Sequence, residues 1–260
     1  MAEKRTPRRR RSKRNTDSIP TSLSQLPWQQ LRFPYKPTEV ATDEQLDLIH
    51  DGSMRILEEI GIDVLLPQAR EMMVAAGAEA NGERVCFGRE MIMELLASVP
   101  SSFTLYARNP EHNIVVGDNY VSFGTVASAP NTNSLDGGRR PGNHEDYRTF
   151  LKLTQCLNII HFISGYPVEP VDLHPSVRHL HCLADCVTMT DKVFHCYSLG
   201  QQRNIDAIEI ARIGRGINNE QLDNEPSIFT IINSNSPLKL DDYMLQGIIE
   251  MASRLSLIHI

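Results

Sequence analysis

From residue 119 onward, short apolar runs alternate with longer stretches in which apolar residues recur every three or four positions. The runs "YVSFG", "IIHFISG", "KVFHCYS" and "SIFTIINSN" have the β-branched and aromatic content of strands buried on both faces. A polar loop and a helical pattern follow each run. The first helix is capped by Asn143 and carries Tyr147, Phe150, Leu151, Thr154 and Leu157 on one side; the second starts near Pro175 and the third near Arg203. The fourth starts at Asp241, with Leu245, Ile248, Ile249 and Ala252 on one face. Four successive βα units predict a parallel sheet covered by helices. No Gly-x-Gly-x-x-Gly or P-loop follows the first run, which removes the main support for a dinucleotide-binding open sheet. Residues 119–254 supply about half of the roughly 250 residues of a closed barrel. The predicted fold is therefore α/β, the N-terminal half of a (β/α)8 TIM barrel.

A small α+β prelude over residues 42–118 precedes it. Thr42 and Gln45 form a capping box, Leu46, Ile49, Ser53, Leu57 and Ile60 follow at helical spacing, and Gly61 ends the helix. Pro67 opens a second helix that closes at Gly77, "ERVCF" is a strand after an Asn-Gly turn, and residues 89–99 form a third helix stopped by Pro100. Residues 1–41 read as a basic disordered tail and an extended arm pinned by Trp28, Leu31, Phe33 and Tyr35. Between the first strand and its helix, "SFGTVASAPNTNSLDGGRRPG" (122–142) has no regular period and reads as a long functional loop.

Composition narrows the class. With 260 residues and 41% hydrophobic side chains, the chain can bury a sizeable core. No long uncharged apolar run occurs and the first residues lack the apolar h-region of a secretory signal, so the expectation is a cytoplasmic protein without a membrane partner. Five cysteines without regular spacing suit a reducing compartment. The net charge of −6 hides an asymmetry: residues 1–14 hold eight basic residues and one acid. No nucleic-acid-binding module follows, so the tail reads as solvated and no nucleic-acid partner is expected. The final "LSLIHI" (255–260) follows a good helix without a stop and matches a translated sequencing adapter in one frame. It reads as a non-native tail.

"DGSMRILEEIGIDV", "VPSSFTLYARNPEHNIVVG", "LDGGRRPG", "GYPVEPVDLHPSVRHL", "TDKVFHCYSLG" and "INSNSPLKLDDYML" occur in an order and at spacings that resemble the trimethylamine methyltransferase family. The likeness runs from about residue 38 to Arg254. It implies a TIM-barrel methyltransferase that moves a methyl group from a methylated or quaternary amine, trimethylamine or glycine-betaine-like, to the Co(I) corrinoid of a separate partner protein. No cofactor is then held by this chain itself, and a homo-oligomer is expected at full length. Archaeal trimethylamine enzymes of this family carry pyrrolysine in the second half of the barrel, beyond this sequence; bacterial relatives lack it.

Such chemistry asks the enzyme for placement and electrostatics, since the nucleophile is external. In a barrel those groups stand at the carboxyl ends of the strands. Phe123, Tyr166 and Tyr197 are candidates for an aromatic wall around a cation, Glu169 for its countercharge, and Asn233 and Asn235, with Ser236 beside them after the fourth strand, for hydrogen bonds from the asparagines to a carboxylate or ordered water. Aromatic residues on strands, Phe123 and the tyrosines among them, more often belong to a core, and Glu169 also suits a turn. His195, inside a buried strand, is either a substrate contact or a satisfied core histidine. Arg139 and Arg140 either bind a substrate carboxylate, a corrinoid side chain or an acidic partner surface, or hold their turn through local carbonyls and acids. His179, Cys182 and Cys186 share a helical face at zinc-like spacing. However, Val177, Leu180, Ala184 and Val187 read as the sheet-facing stripe, which puts that cluster outside the barrel, and no metal is expected. A half barrel with open parallel edges is expected to be inactive alone and prone to association. The rival reading is a small-molecule-binding α/β module without turnover, its basic arm engaging an acidic partner.

Overall fold

The computed structural model describes residues 23–254; the basic tail and residues 255–260 lie outside the described residues. The arm forms β1 (Leu31–Arg32). The prelude contains α1 (Asp43–Arg55), β2 (Ile62–Val64), α2 (Pro67–Ala75), β3 (Glu79–Asn81), β4 (Arg84–Cys86), α3 (Arg89–Ala97), β5 (Ser102–Leu105) and β6 (Ile114–Gly117). Then come β7 (Tyr120–Val121), β8 (Asn131–Ser134), β9 (Gly138–Pro141), α4 (His144–Cys156), β10 (Phe162–Ile163) and α5 (Arg178–Met189). The series ends with β11 (Val193–His195), α6 (Gln201–Arg215), α7 (Asn219–Asn224), β12 (Ile228–Phe229), β13 (Lys239–Leu240) and α8 (Asp242–Ala252).

Strands β10, β11 and β12 form a parallel sheet in that order, with Phe162 opposite Val193 and Phe194 opposite Ile228. Of the first apolar run, β7 pairs antiparallel with β1, while Gly124 makes a parallel bridge to Phe162. The four runs thus lie in chain order, as consecutive βα units do. The molecule is mixed α/β with several small sheets, and no barrel closes among the described residues. No helix among them is long and apolar enough to cross a membrane.

Side chains alternate across the parallel strands, and each face finds its own cover. Ile163, Phe194 and Ile228 join Leu151, Leu183, Ala207 and Ile208 of α4, α5 and α6 in the main core. Phe162, Val193 and Phe229 point the other way, against Leu105 and Ile114 of the β5–β6 hairpin and Trp28 of the arm. Asn143 and Asp146 cap α4 reciprocally and Tyr147, Leu151 and Thr154 are its buried face.

Three expectations are corrected and one strand is added. The loop 122–142 is not structureless: β8 and β9 pair across its centre, with Ser134 Oγ accepting from Gly137 N–H and Gly138 at φ 64° turning the chain. On α5 the buried face is His179, Cys182, Leu183 and Cys186, not Val177, Leu180 and Ala184. The small cysteines let α5 approach α4, where the Tyr147 hydroxyl donates to Cys182 O at 3.0 Å. The α1 stripe is largely exposed, Met54 being its buried side chain, and the chain meets the body just beyond α1, in the helical turn Ile56–Ile60, where Phe87 N–H donates to Leu57 O. Finally β13, which no apolar alternation announced, pairs parallel with β2 and ties the fourth unit to the prelude. Leu245 of α8 is accordingly buried with Val64, Ala69 and Val85.

Candidate functional site

The carboxyl ends of the parallel strands lead into Gly165-Tyr166 after β10 and Cys196-Tyr197 after β11. Period-two alternation turns Phe194 and Cys196 into the helix-side core, while Tyr197, just beyond the strand, packs against that same core with its ring edge-on to His195 at 5.0 Å. The Tyr166 and Tyr197 rings stand 4.6 Å apart, tilted by 55°, and Tyr147 meets Tyr166 edge-on at 5.9 Å. Their hydroxyls stay neutral at ordinary pH, because burial pushes both upward. Tyr197 is fixed at its tip: its hydroxyl bonds to that of Ser128 and accepts Tyr166 N–H at 3.0 Å. Ser128 N–H donates to Tyr166 O at 2.7 Å and Glu169 N–H to Ala129 O at 2.8 Å, so the first βα loop is laced onto the second.

Beside the rings lies a pocket of about 200 Å³, lined by Ser128, Tyr166, Glu169, Arg178, Tyr197 and Arg203 among others. Glu169 pairs with Arg178, whose guanidinium also donates to Leu173 O. Arg203 donates to Pro175 O at 3.3 Å. The volume lies below the roughly 300–1,000 Å³ of pockets for drug-sized ligands and suits a small solute. Aromatic faces and fixed charges give it the chemistry for a small charged one.

His195 is 7% exposed, beside Tyr197 and Phe229 at ring distances of 5.0 and 5.2 Å. Burial pushes its imidazole from 6.5 down to about 4. Nε2 accepts Ile231 N–H at 3.2 Å, so the neutral ring carries its proton on Nδ1, which has no partner among the described residues. The unfolded chain binds a proton at the ordinary value and the folded one only near 4, so this contribution to stability is full above pH 6.5 and is lost as pH falls toward 4. The expected loss is about 3 kcal/mol. Urea denaturation between pH 7 and 4 checks it, and His195→Gln is expected to flatten the slope.

The structure brings Tyr166, Tyr197, Glu169 and His195 into one neighbourhood; the other candidates lie elsewhere. Phe123 stacks on His161 at 5.9 Å, and its N–H donates to His161 Nδ1 at 2.9 Å. Asn235 exchanges backbone hydrogen bonds with Lys239 and donates from its side chain to Asp241 at 3.0 Å, while Asn233 and Ser236 are exposed on the same loop. Arg140 forms a two-pronged pair with Asp146, at 2.5 and 2.7 Å, which fastens β9 to the cap of α4. Arg139 pairs with Asn133 in the β8–β9 ladder, and its exposed side chain has no hydrogen-bond or ion-pair partner among the described residues. Ser128, Gly165, Arg178 and Arg203 enter the site without having been singled out from the sequence. His179 pairs with Asp206 at 2.9 Å, the Cys186 thiol is buried and pushed up to about 12, and no group of three or more potential metal ligands gathers among the described residues. All five cysteines are free.

The helix-covered parallel sheet, with a small aromatic and charged pocket at its carboxyl ends, is an α/β architecture. The chain belongs to the trimethylamine methyltransferase (MTTB) family, whose sequence profile matches residues 6–260. It is 37% identical over 213 residues to the glycine betaine methyltransferase of Desulfitobacterium hafniense strain Y51, covering 82% of this chain and 44% of that protein. It is 24% identical over 215 residues to the trimethylamine methyltransferase MttB of Desulfitobacterium hafniense strain DSM 10664 / DCB-2, covering 81% of this chain and 43% of that protein. To the proline betaine:corrinoid methyltransferase of Eubacterium limosum it is 26% identical over 151 residues, covering 56% and 30%. The chain spans less than half the length of these curated relatives.

Proposed function

We propose that this chain is part of a methyltransferase that takes a methyl group from a methylated or quaternary amine and passes it to the corrinoid of a partner protein, with the amine held on Tyr166 and Tyr197. Residues 119–254 are read as the first half of a (β/α)8 barrel and 42–118 as its prelude. The observation that carries the proposal is the pair of tyrosine rings 4.6 Å apart at the carboxyl ends of parallel strands. Two neutral π faces attract an ammonium group and release the neutral amine that remains once its methyl is gone. Tyr197, fixed by Ser128 and the Tyr166 N–H, sets the orientation of the methyl groups.

The partner's corrinoid supplies the Co(I) nucleophile when bound. The three buried thiols fit an external nucleophile: Cys186 and Cys196 are pushed up to about 12, and Cys182 is raised as well. The name of the Eubacterium relative, a proline betaine:corrinoid methyltransferase, supports the same assignment. Methyl transfer belongs in this proposal to the whole protein, and residues 1–260 alone are expected to give none. The test is amine-dependent methylation of a Co(I) corrinoid by the full-length gene product, followed by visible absorbance. Tyr197→Leu is expected to lower kcat/KM about tenfold or more. An unchanged rate would remove the tyrosine pair from the mechanism, and amine binding without transfer by the wild type would favour a binding module instead.

A further inference from the structure

We propose that the β8–β9 ribbon is the docking element for the protein that carries the corrinoid, with Leu135 at its tip and Arg139 on its outer face making the contact. This rests on the proposed methyl transfer at the tyrosine pair and names the surface that the partner meets. The ribbon pairs Asn131–Ser134 with Gly138–Pro141, and every residue from 133 to 141 is exposed. The β5–β6 hairpin sends Leu105 and Ile114 into a core, whereas no residue of this ribbon is buried. Two paired strands are marginal in water by themselves, so the ribbon is held from its base. There Gly142 is buried, and a β-carbon on it would lie 2.3 Å from Val168 Cγ2 and 2.7 Å from Glu169 O. On the other side of the base Ser128, at φ 54°, bonds through its hydroxyl to that of Tyr197 and through its N–H to Tyr166 O. The ribbon is therefore rooted in the residues that carry the pocket.

Alternation sorts its two faces. Arg140, opposite Thr132, is turned to α4 by its pair with Asp146. Arg139, opposite Asn133, lies on the other face, its guanidinium without a partner among the described residues. Leu135, in the turn, is fully exposed at 105%. Methyl transfer needs cobalt and the donated carbon within bonding distance, so a protein that carries the cobalt has to settle on the rim of the pocket, where this ribbon stands. A free guanidinium beside an uncovered leucine fits an acidic surface with an apolar recess, and a preformed ribbon meets it with little ordering cost.

The test titrates the full-length protein calorimetrically with its corrinoid partner protein, in corrinoid-free and corrinoid-loaded forms. Leu135→Asp and Arg139→Glu are each expected to weaken binding of both forms about tenfold or more, and Arg139→Lys to keep most of the affinity. Both positions are exposed, and circular-dichroism melts of the variants are expected to coincide with wild type. In the methylation assay Leu135→Asp and Arg139→Glu should raise KM for the partner protein, while the rate with free cob(I)alamin, which needs no docking, stays within about twofold of wild type. Unchanged partner affinity in both variants, or no binding of the partner by wild type, would overturn the proposal. So would an equal fall in rate with free and protein-borne corrinoid, which would place the ribbon in the site itself, or a smaller light-scattering mass in Leu135→Asp, which would assign the tip to a second copy of the chain. Absence of methyl transfer by wild type to either acceptor would overturn the tyrosine-pocket reading, and partner affinity would then decide the role of the ribbon alone.

Discussion

Gly165→Ala is expected to destroy the tyrosine pocket. Gly165 sits at φ 123°, a conformation that side chains rarely adopt, immediately after β10. A β-carbon there would lie 2.4 Å from Tyr197 Oη and 2.8 Å from its Cζ. The struck atoms belong to a rigid ring whose hydroxyl is held by Ser128 and by Tyr166 N–H, so the clash is relieved only by expelling the ring. Backbone strain and overpacking together are expected to cost about 2–5 kcal/mol. Urea denaturation measures that loss, and calorimetry with glycine betaine should find binding reduced more than tenfold. A variant that keeps both stability and affinity would show that Tyr197 is free to move and does not set the pocket.

The second large effect lies at the opposite ends of the strands. Lys192, 3% exposed, immediately precedes β11 and donates from Nζ to Thr154 O, Leu157 O and Ile160 O at 2.6, 2.9 and 2.7 Å. Burial pushes its ammonium down to about 8, still charged at neutral pH, and it gathers carbonyls at and beyond the C-terminal end of α4. Lys192→Met keeps the length of the side chain and removes every donor. The carbonyls it leaves unsatisfied are expected to cost about 3 kcal/mol or more, read as a lower urea midpoint with an unchanged slope. A loss below about 0.5 kcal/mol, the range of ordinary surface substitutions, would mean that water replaces the lysine freely.

The helices and their caps were legible in the sequence because Asn143, Thr42 and Pro67 act locally, within a turn of themselves. The order of the parallel strands was legible for a similar reason: successive βα units pack beside one another. The face of α5 was misread because cysteine was weighed as a possible ligand, whereas Cys182 and Cys186 serve as small apolar residues that admit α4. Strand β13 was invisible because its two residues pair with β2, far away in sequence, and a pattern that short has no period.

The site divides along the same line. Tyr166 and Tyr197 stood at strand ends, where the pattern points. Arg178 and Arg203 were missed because they belong to helices, yet α5 begins at Arg178 and Arg203 lies in the first turn of α6. In a βα unit that turn returns to the mouth its strand has just left, so polar residues in first helical turns merit the same scrutiny as those at strand ends. Arg140 drew attention by standing next to turn glycines, and Asp146 absorbs it.

The most direct test of the central claim, that a quaternary ammonium group rests on Tyr166 and Tyr197, is nuclear Overhauser spectroscopy of the chain with glycine betaine. Magnetisation is predicted to pass between the N-methyl protons and the ring protons of both tyrosines, and to disappear in Tyr197→Leu. A different apolar cleft of about 260 Å³, lined by Leu105, Ile114, Tyr120, Phe162 and Phe229, lies against the β5–β6 hairpin. N-methyl contacts to Phe162 and Phe229, with none to Tyr166 or Tyr197, would contradict the claim.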